Sequence, residues 1–122
     1  MDTTGDFAWL SLLQRRADYA RKAANGARTP NVAKELGELA ALYDDIAGRA
    51  EVEAARPAVG GIDRRASRSN AKDELIRHLL SRSHDFLAKA RTLTDKGRAE
   101  ELKYLSGVYG AEAARLKTDR MR

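Results

Sequence analysis

Leu36-Gly37-Glu38-Leu39-Ala40-Ala41-Leu42-Tyr43 is answered, 66 residues later, by Leu102-Lys103-Tyr104-Leu105-Ser106-Gly107-Val108-Tyr109. Both segments read Leu-x-x-Leu-small-x-x-Tyr, a spacing of three and four that lines one side of an α-helix and does not fit the period of two of a strand. Working outward, the first copy extends to Val32, Leu36, Leu39, Tyr43, Ile46 and Ala50, and the second to Leu102, Leu105, Tyr109, Ala113 and Leu116. Upstream of each copy lies a second matching stretch. Leu12-Leu13-Gln14-Arg15-Arg16-Ala17-Asp18-Tyr19 aligns with Leu79-Leu80-Ser81-Arg82-Ser83-His84-Asp85-Phe86 at an offset of 67, and Lys22-Ala23 continues it against Lys89-Ala90. The change from 67 to 66 falls in a turn, so a tandem duplication of one helix–turn–helix unit accounts for both offsets.

Cap chemistry sets the boundaries. The first helix is expected to begin after Asp6 and to stop at Asn25-Gly26, where a left-handed residue ends helices at little cost. Thr29-Pro30 is an N-cap followed by proline at the first helical position, and Pro57 stops the second helix near Arg56. Adding 66 to Thr29 gives Asp95, another N-cap type, after the Leu93-Thr94 end of the third helix. That third helix is expected to start after Ser69 or Asn70, with Asp73 and Glu74 in its first turn, where the helix dipole favours acids. The first helix carries Leu10, Leu13, Ala17, Ala20 and Ala24 on one seam. The third carries a wider stripe of Leu75, Ile76, Leu79, Leu80, Phe86, Leu87, Ala90 and Leu93. The expectation is an all-α chain forming one domain over 1–122, a four-helix bundle built from two tandem, duplicated antiparallel helical hairpins. Hairpin 1 covers about 7–56, a linker about 57–70 and hairpin 2 about 71–119.

Composition agrees. Ala, Glu, Lys, Leu and Arg supply 67 of the 122 residues, the signature of long helices. Cysteine is absent, which excludes disulfides, thiolate metal sites and cysteine nucleophiles. The start, Met1-Asp2-Thr3-Thr4-Gly5-Asp6, is acidic where a secretory signal is basic, and no apolar run reaches the length of a membrane span. A cytoplasmic protein with no membrane partner is therefore expected. Gly37, Gly48, Gly107 and Gly110, inside the second and fourth helices, read as close-approach points between helices.

The Leu-x-x-Leu-Ala-x-x-Tyr segment resembles the first helix of a tetratricopeptide repeat, but the likeness ends there. The small and aromatic positions that should follow fall on Val52 and Arg56, and that motif's proline is missing. Over most of its length the chain resembles small uncharacterised helical-hairpin proteins of alphaproteobacteria. These share an Ala-rich helix with an aromatic, a short Asp/Thr-Pro turn, Leu-x-x-Leu-Ala-x-x-Tyr and an Ala/Glu-rich tail, here Ala17-Asp18-Tyr19-Ala20, Thr29-Pro30, Leu36 to Tyr43 and Ala47 to Ala55. The resemblance implies a helical-hairpin fold and no established activity.

The candidate chemistry is sparse. His78 and His84 lie six residues apart, about 120° around a helix, and cannot chelate one ion from one face. Glu74 with His78 makes half a site at most, and the paired Glu-x-x-His of di-iron bundles is missing. No serine sits in a nucleophile elbow and there is no phosphate-binding glycine loop, so neither an enzyme nor a cofactor is expected. Three surfaces remain. The first helix has a second apolar side, from which Trp9, Leu12 and Tyr19 are the candidate protein-contact surface, probed first by a second copy of the chain in a homodimer. Tyr43 and Tyr109 are a candidate interior pair, the basis of an alternative reading as a small-molecule-binding bundle. The basic residues are unevenly spread: residues 1–60 hold 8 basic and 9 acidic side chains, while 61–122 hold 15 and 9. Arg64, Arg65, Arg68, Lys72, Arg77 and Arg91 are the candidate surface for an anionic partner, with nucleic acid the alternative to protein. Arg77, His84 and Arg91 form one row of the third helix, and Arg82, Lys89 and Lys96 a second. Arg64-Arg65-Ala66-Ser67 also resembles a basophilic kinase site.

Overall fold

Thr29 and Asp95 perform the same task at equivalent points of the chain. The Thr29 hydroxyl accepts a hydrogen bond from the Val32 amide at 3.3 Å, and the Asp95 carboxylate accepts from the Gly97 and Arg98 amides at 2.9 and 3.3 Å. Each satisfies amides that the first turn of a helix leaves without a partner. The computed structural model describes residues 3–55 and 64–118, and these form four α-helices: α1 (Thr3–Asn25), α2 (Pro30–Ala55), α3 (Arg64–Thr92) and α4 (Lys96–Thr118). The architecture is all-α, two antiparallel hairpins in tandem, with no strand among the described residues. No helix there is long and apolar enough to cross a membrane.

Hairpin 1 is α1 against α2. Its core is Trp9, Leu13, Ala17 and Ala20 from α1 with Leu36, Leu39, Ala40, Tyr43 and Ala47 from α2, all buried. Outside the core, Arg21 on α1 bridges Asp18 on its own helix and Asp44 on α2, the latter at 2.5 Å. These carboxylates, Asp18 foremost through its hydrogen bond, hold the guanidinium above its ordinary pKa, so its charge is fixed at any working pH. Hairpin 2 is built alike. Leu75, Ile76, Leu79, Phe86 and Ala90 of α3 are buried, as are Leu105, Tyr109, Ala113 and Leu116 of α4. Phe86 meets Tyr109 edge to face at 5.1 Å, and Ser83 on α3 faces Ser106 on α4 with hydroxyls 3.1 Å apart.

The burial pattern corrects the expected slip. Leu12–Tyr19 aligns with Leu79–Phe86 by letter at 67, but at that offset buried Leu13 would match part-exposed Leu80, and exposed Tyr19 would match buried Phe86. At a uniform offset of 66, Trp9 matches Leu75, Leu13 matches Leu79, Ala20 matches Phe86, Tyr43 matches Tyr109 and Ala47 matches Ala113, and every one of these is buried. A shift of one residue turns a helix by about 100°, so burial separates the two alignments where letters do not. The repeat also exchanges volume along its layers. Ala20 stands where hairpin 2 has Phe86, and Trp9 with Ala50 stands where it has Leu75 with Leu116.

Four further expectations are revised. α1 begins at Thr3, not after Asp6, so Asp6 lies within the helix and is not its N-cap. α3 begins at Arg64, not after Ser69 or Asn70, because Arg64 to Asn70 contains no helix breaker; the breakers are Pro57 and Gly60-Gly61, which lie outside the described residues. α1 ends at Asn25 with the Gly26 amide still donating to the Lys22 carbonyl at 3.1 Å, and Gly26 does not adopt the left-handed conformation. Gly37, Gly48 and Gly107 are not close-approach points, since a Cβ at any of them would meet nothing within 4 Å. Gly110 alone of the four faces a neighbour, Ser83 Oγ, at 3.4 Å from such a Cβ.

Candidate functional site

At 100° per residue, Trp9 sits about 40° from Leu13 and belongs to the main seam of α1, whereas Leu12 and Tyr19 sit about 100° and 120° away on the same flank. The structure divides the expected contact surface accordingly. Trp9 is 2% exposed and Leu12 4%, so both are core residues and neither can dock a partner; only Tyr19, at 49%, is open. Burial of Trp9 follows from its register with Leu13, Ala17 and Ala20, which the reading of Leu10 as the seam residue had displaced. Leu10 itself is half-buried.

Tyr19 is held in place. The Arg16 guanidinium lies over its ring, 4.6 Å from the centroid, a cation–π arrangement one helical turn long. Arg82 and Phe86 make the corresponding stack in hairpin 2 at 4.8 Å, but there the ring is buried and points into the core against Tyr109. The same Arg–aromatic device thus closes a core in one hairpin and presents a tyrosine to solvent in the other. Phe7, Val52 and Tyr104 are also exposed, and sequence reading passed over all three because apolar residues off the seam carry no periodic signal.

The expected anionic-partner surface is only partly assembled. Arg68 is 8% exposed and engaged in contacts of its own, so it is removed from that surface. It falls on the inward side of α3's first turns, a side that exists only because the helix starts at Arg64. Lys72 is half-buried, Arg77 and Arg91 are exposed, and the side chains of Arg64 and Arg65 lie outside the described residues. Ser67 is part of α3 and its hydroxyl donates to Glu53 at 3.4 Å.

Tyr43 and Tyr109 are both buried, each within its own hairpin. Neither tyrosine is without a partner. His78 and His84 are exposed, and among the described residues no group of three or more His, Asp or Glu is placed to hold a metal ion. Glu112 is the one acid buried among them, next to Arg115 at 4.0 Å, and no buried side-chain nitrogen or oxygen there lacks a partner. Compared with protein-family models, with curated proteins and with solved structures, the chain matches none.

Proposed function

We propose that this chain is a non-catalytic helical module that works through protein–protein contact, first with a second copy of itself, using the open flank of α1 around Arg16 and Tyr19. The observation that supports it is the stacked, 49% exposed Tyr19. Tyrosine and arginine are the residue types that carry most binding energy at interfaces, and a ring already ordered by its neighbour loses less entropy on docking. A two-fold contact would set this face against its own copy. Charge permits that pairing here and opposes it elsewhere: residues 1–60 carry 8 basic against 9 acidic groups, whereas 61–122 carry 15 against 9 and would repel themselves.

Sedimentation equilibrium on the wild type and on Tyr19→Ala is the test. The expected result is a reversible dimer for the wild type and a shift toward monomer for the variant, whose exposed substitution leaves the helical circular-dichroism signal intact. A wild type that stays monomeric over the whole concentration range, or a dimer indifferent to Tyr19→Ala, would sink the proposal.

A further inference from the structure

α3 carries two helix starts. The one in use is Arg64, and the helix then opens on Arg64-Arg65-Ala66-Ser67-Arg68 with no acid in its first turn. Arginines at a helix N-terminus stand against the positive end of its dipole, so the local sequence does not favour this start. The other start lies just beyond. Ser69 and Asn70 are N-cap types, and Asp73 and Glu74 follow where the dipole of a helix beginning there favours acids. At the 66-residue offset Ser69 and Asn70 stand where hairpin 1 has Thr3 and Thr4, cap types again. In the structure Ser69, Asn70, Asp73 and Glu74 are exposed side chains on a helix already running. What holds the longer helix lies before this point. The Ser67 hydroxyl donates to Glu53 of α2 at 3.4 Å, and Arg68 is 8% exposed. The chain also divides into its two compact units between Arg68 and Ser69, so Arg64–Arg68 belongs with hairpin 1 and the rest of α3 with hairpin 2.

We infer that α3 is a conformational switch with two alternative starts. In the closed form, the one described above, it begins at Arg64. In the released form Arg64–Arg68 unwinds from hairpin 1 and the helix begins at the Asn70 cap. Release gives up the helical bonds of the Arg68, Ser69, Asn70 and Ala71 amides, and the Asn70 side chain takes over an amide of the new first turn. The adverse dipole and the interior Ser-Asn pair oppose the closed form, while the tie to Glu53 and the burial of Arg68 favour it; local and tertiary preferences conflict at this one place in the chain. Release lengthens the connection between the hairpins from residues 56–63 to residues 56–69, so the greatest distance it can span rises from about 28 to about 49 Å. The switch therefore governs how far the two hairpins can part, and the α1 flank takes no part in it.

Amide hydrogen exchange on the full chain, read residue by residue by NMR, is the test. The Arg68, Ser69, Asn70 and Ala71 amides should share one protection, lower than that of Leu79 and Leu105, because a single opening exposes all four. Asn70→Ala removes the cap of the released form, a factor of about 5, and improves the interior of the closed helix by a further factor of about 2, so the shared protection should rise about tenfold. Asp73→Asn should raise it about threefold, since that acid lies in the first turn of the released helix alone. Glu53→Ala should lower it about threefold. Two of these variants act in the closing direction, which loss of fold cannot imitate, and unchanged protection at Leu79 and Leu105 shows that the hairpin core is intact. Protection that falls step by step from Ala71 to Arg68 as in ordinary fraying, protection there equal to that of Leu79, or a rise of threefold or less in Asn70→Ala would each overturn the inference.

Discussion

Ser83 and Ser106 donate their hydroxyls to each other's backbone carbonyls, both at 2.8 Å, so two helices are tied by reciprocal bonds at a level flanked by Phe86 on α3 and Tyr109 on α4, whose rings meet diagonally across it. The equivalent layer of hairpin 1 is Ala17 and Ala40, both buried. Small residues at this level let the helices approach closely in both hairpins, and hairpin 2 adds the polar tie. Because each carbonyl is also an intrahelical acceptor, Ser83→Ala or Ser106→Ala leaves no orphaned group and should cost only about 0.5–1 kcal/mol. The double variant, which recreates the Ala17–Ala40 layer, should cost less than the sum of the two. Ser83→Leu should cost about 1–3 kcal/mol by overpacking. Urea denaturation of the set checks all three.

The helix-interior glycines that face open space should behave as pure propensity defects. Gly37→Ala, Gly48→Ala and Gly107→Ala are each expected to stabilise by up to about 1 kcal/mol. Gly110→Ala should gain less, because its Cβ would rest 3.4 Å from Ser83 Oγ. Equal gains at all four positions in thermal melts would show that the Ser83 contact is not felt.

The 66-residue register makes a sharper prediction than the letters do. Phe86→Ala removes a buried ring and should cost about 3–5 kcal/mol, whereas Tyr19→Ala, its partner by letter alignment, should change stability by no more than about 0.5 kcal/mol. Tyr43→Ala and Tyr109→Ala, matched in both letter and burial, should be severe alike. Similar costs for Tyr19 and Phe86 in denaturant titrations would restore the 67-residue register.

Much of this fold was legible because caps and seams are local. Thr29, Pro30 and Asp95 mark their helix starts by side-chain chemistry that needs no tertiary partner, and Leu36, Leu39, Tyr43, Leu105 and Tyr109 lie on seams that the three-and-four spacing defines alone. What was missed depends on rotation and on context. Trp9 and Leu12 were assigned to the surface because an α1 with two apolar flanks does not say which one the chain covers. Arg68 was read as exposed because a cation beside Gly60-Gly61 resembles linker, and its burial follows only from α3 starting at Arg64.

The two N-caps should differ in strength. Asp95→Ala removes an acceptor of two amides and should cost about 1 kcal/mol, while Thr29→Ala, with a single bond at 3.3 Å, should cost less. Melting both variants together with the wild type orders them directly, and a larger loss for Thr29→Ala would contradict the geometry.

The contact proposed for α1 is tested most directly by amide NMR over a dilution series of the full chain. The account predicts concentration-dependent shifts that follow one isotherm and map to Arg16, Tyr19 and their neighbours on the same flank, and that vanish in Tyr19→Ala. Spectra unchanged by dilution, or shifts gathered instead around Lys89 to Arg98, would contradict it.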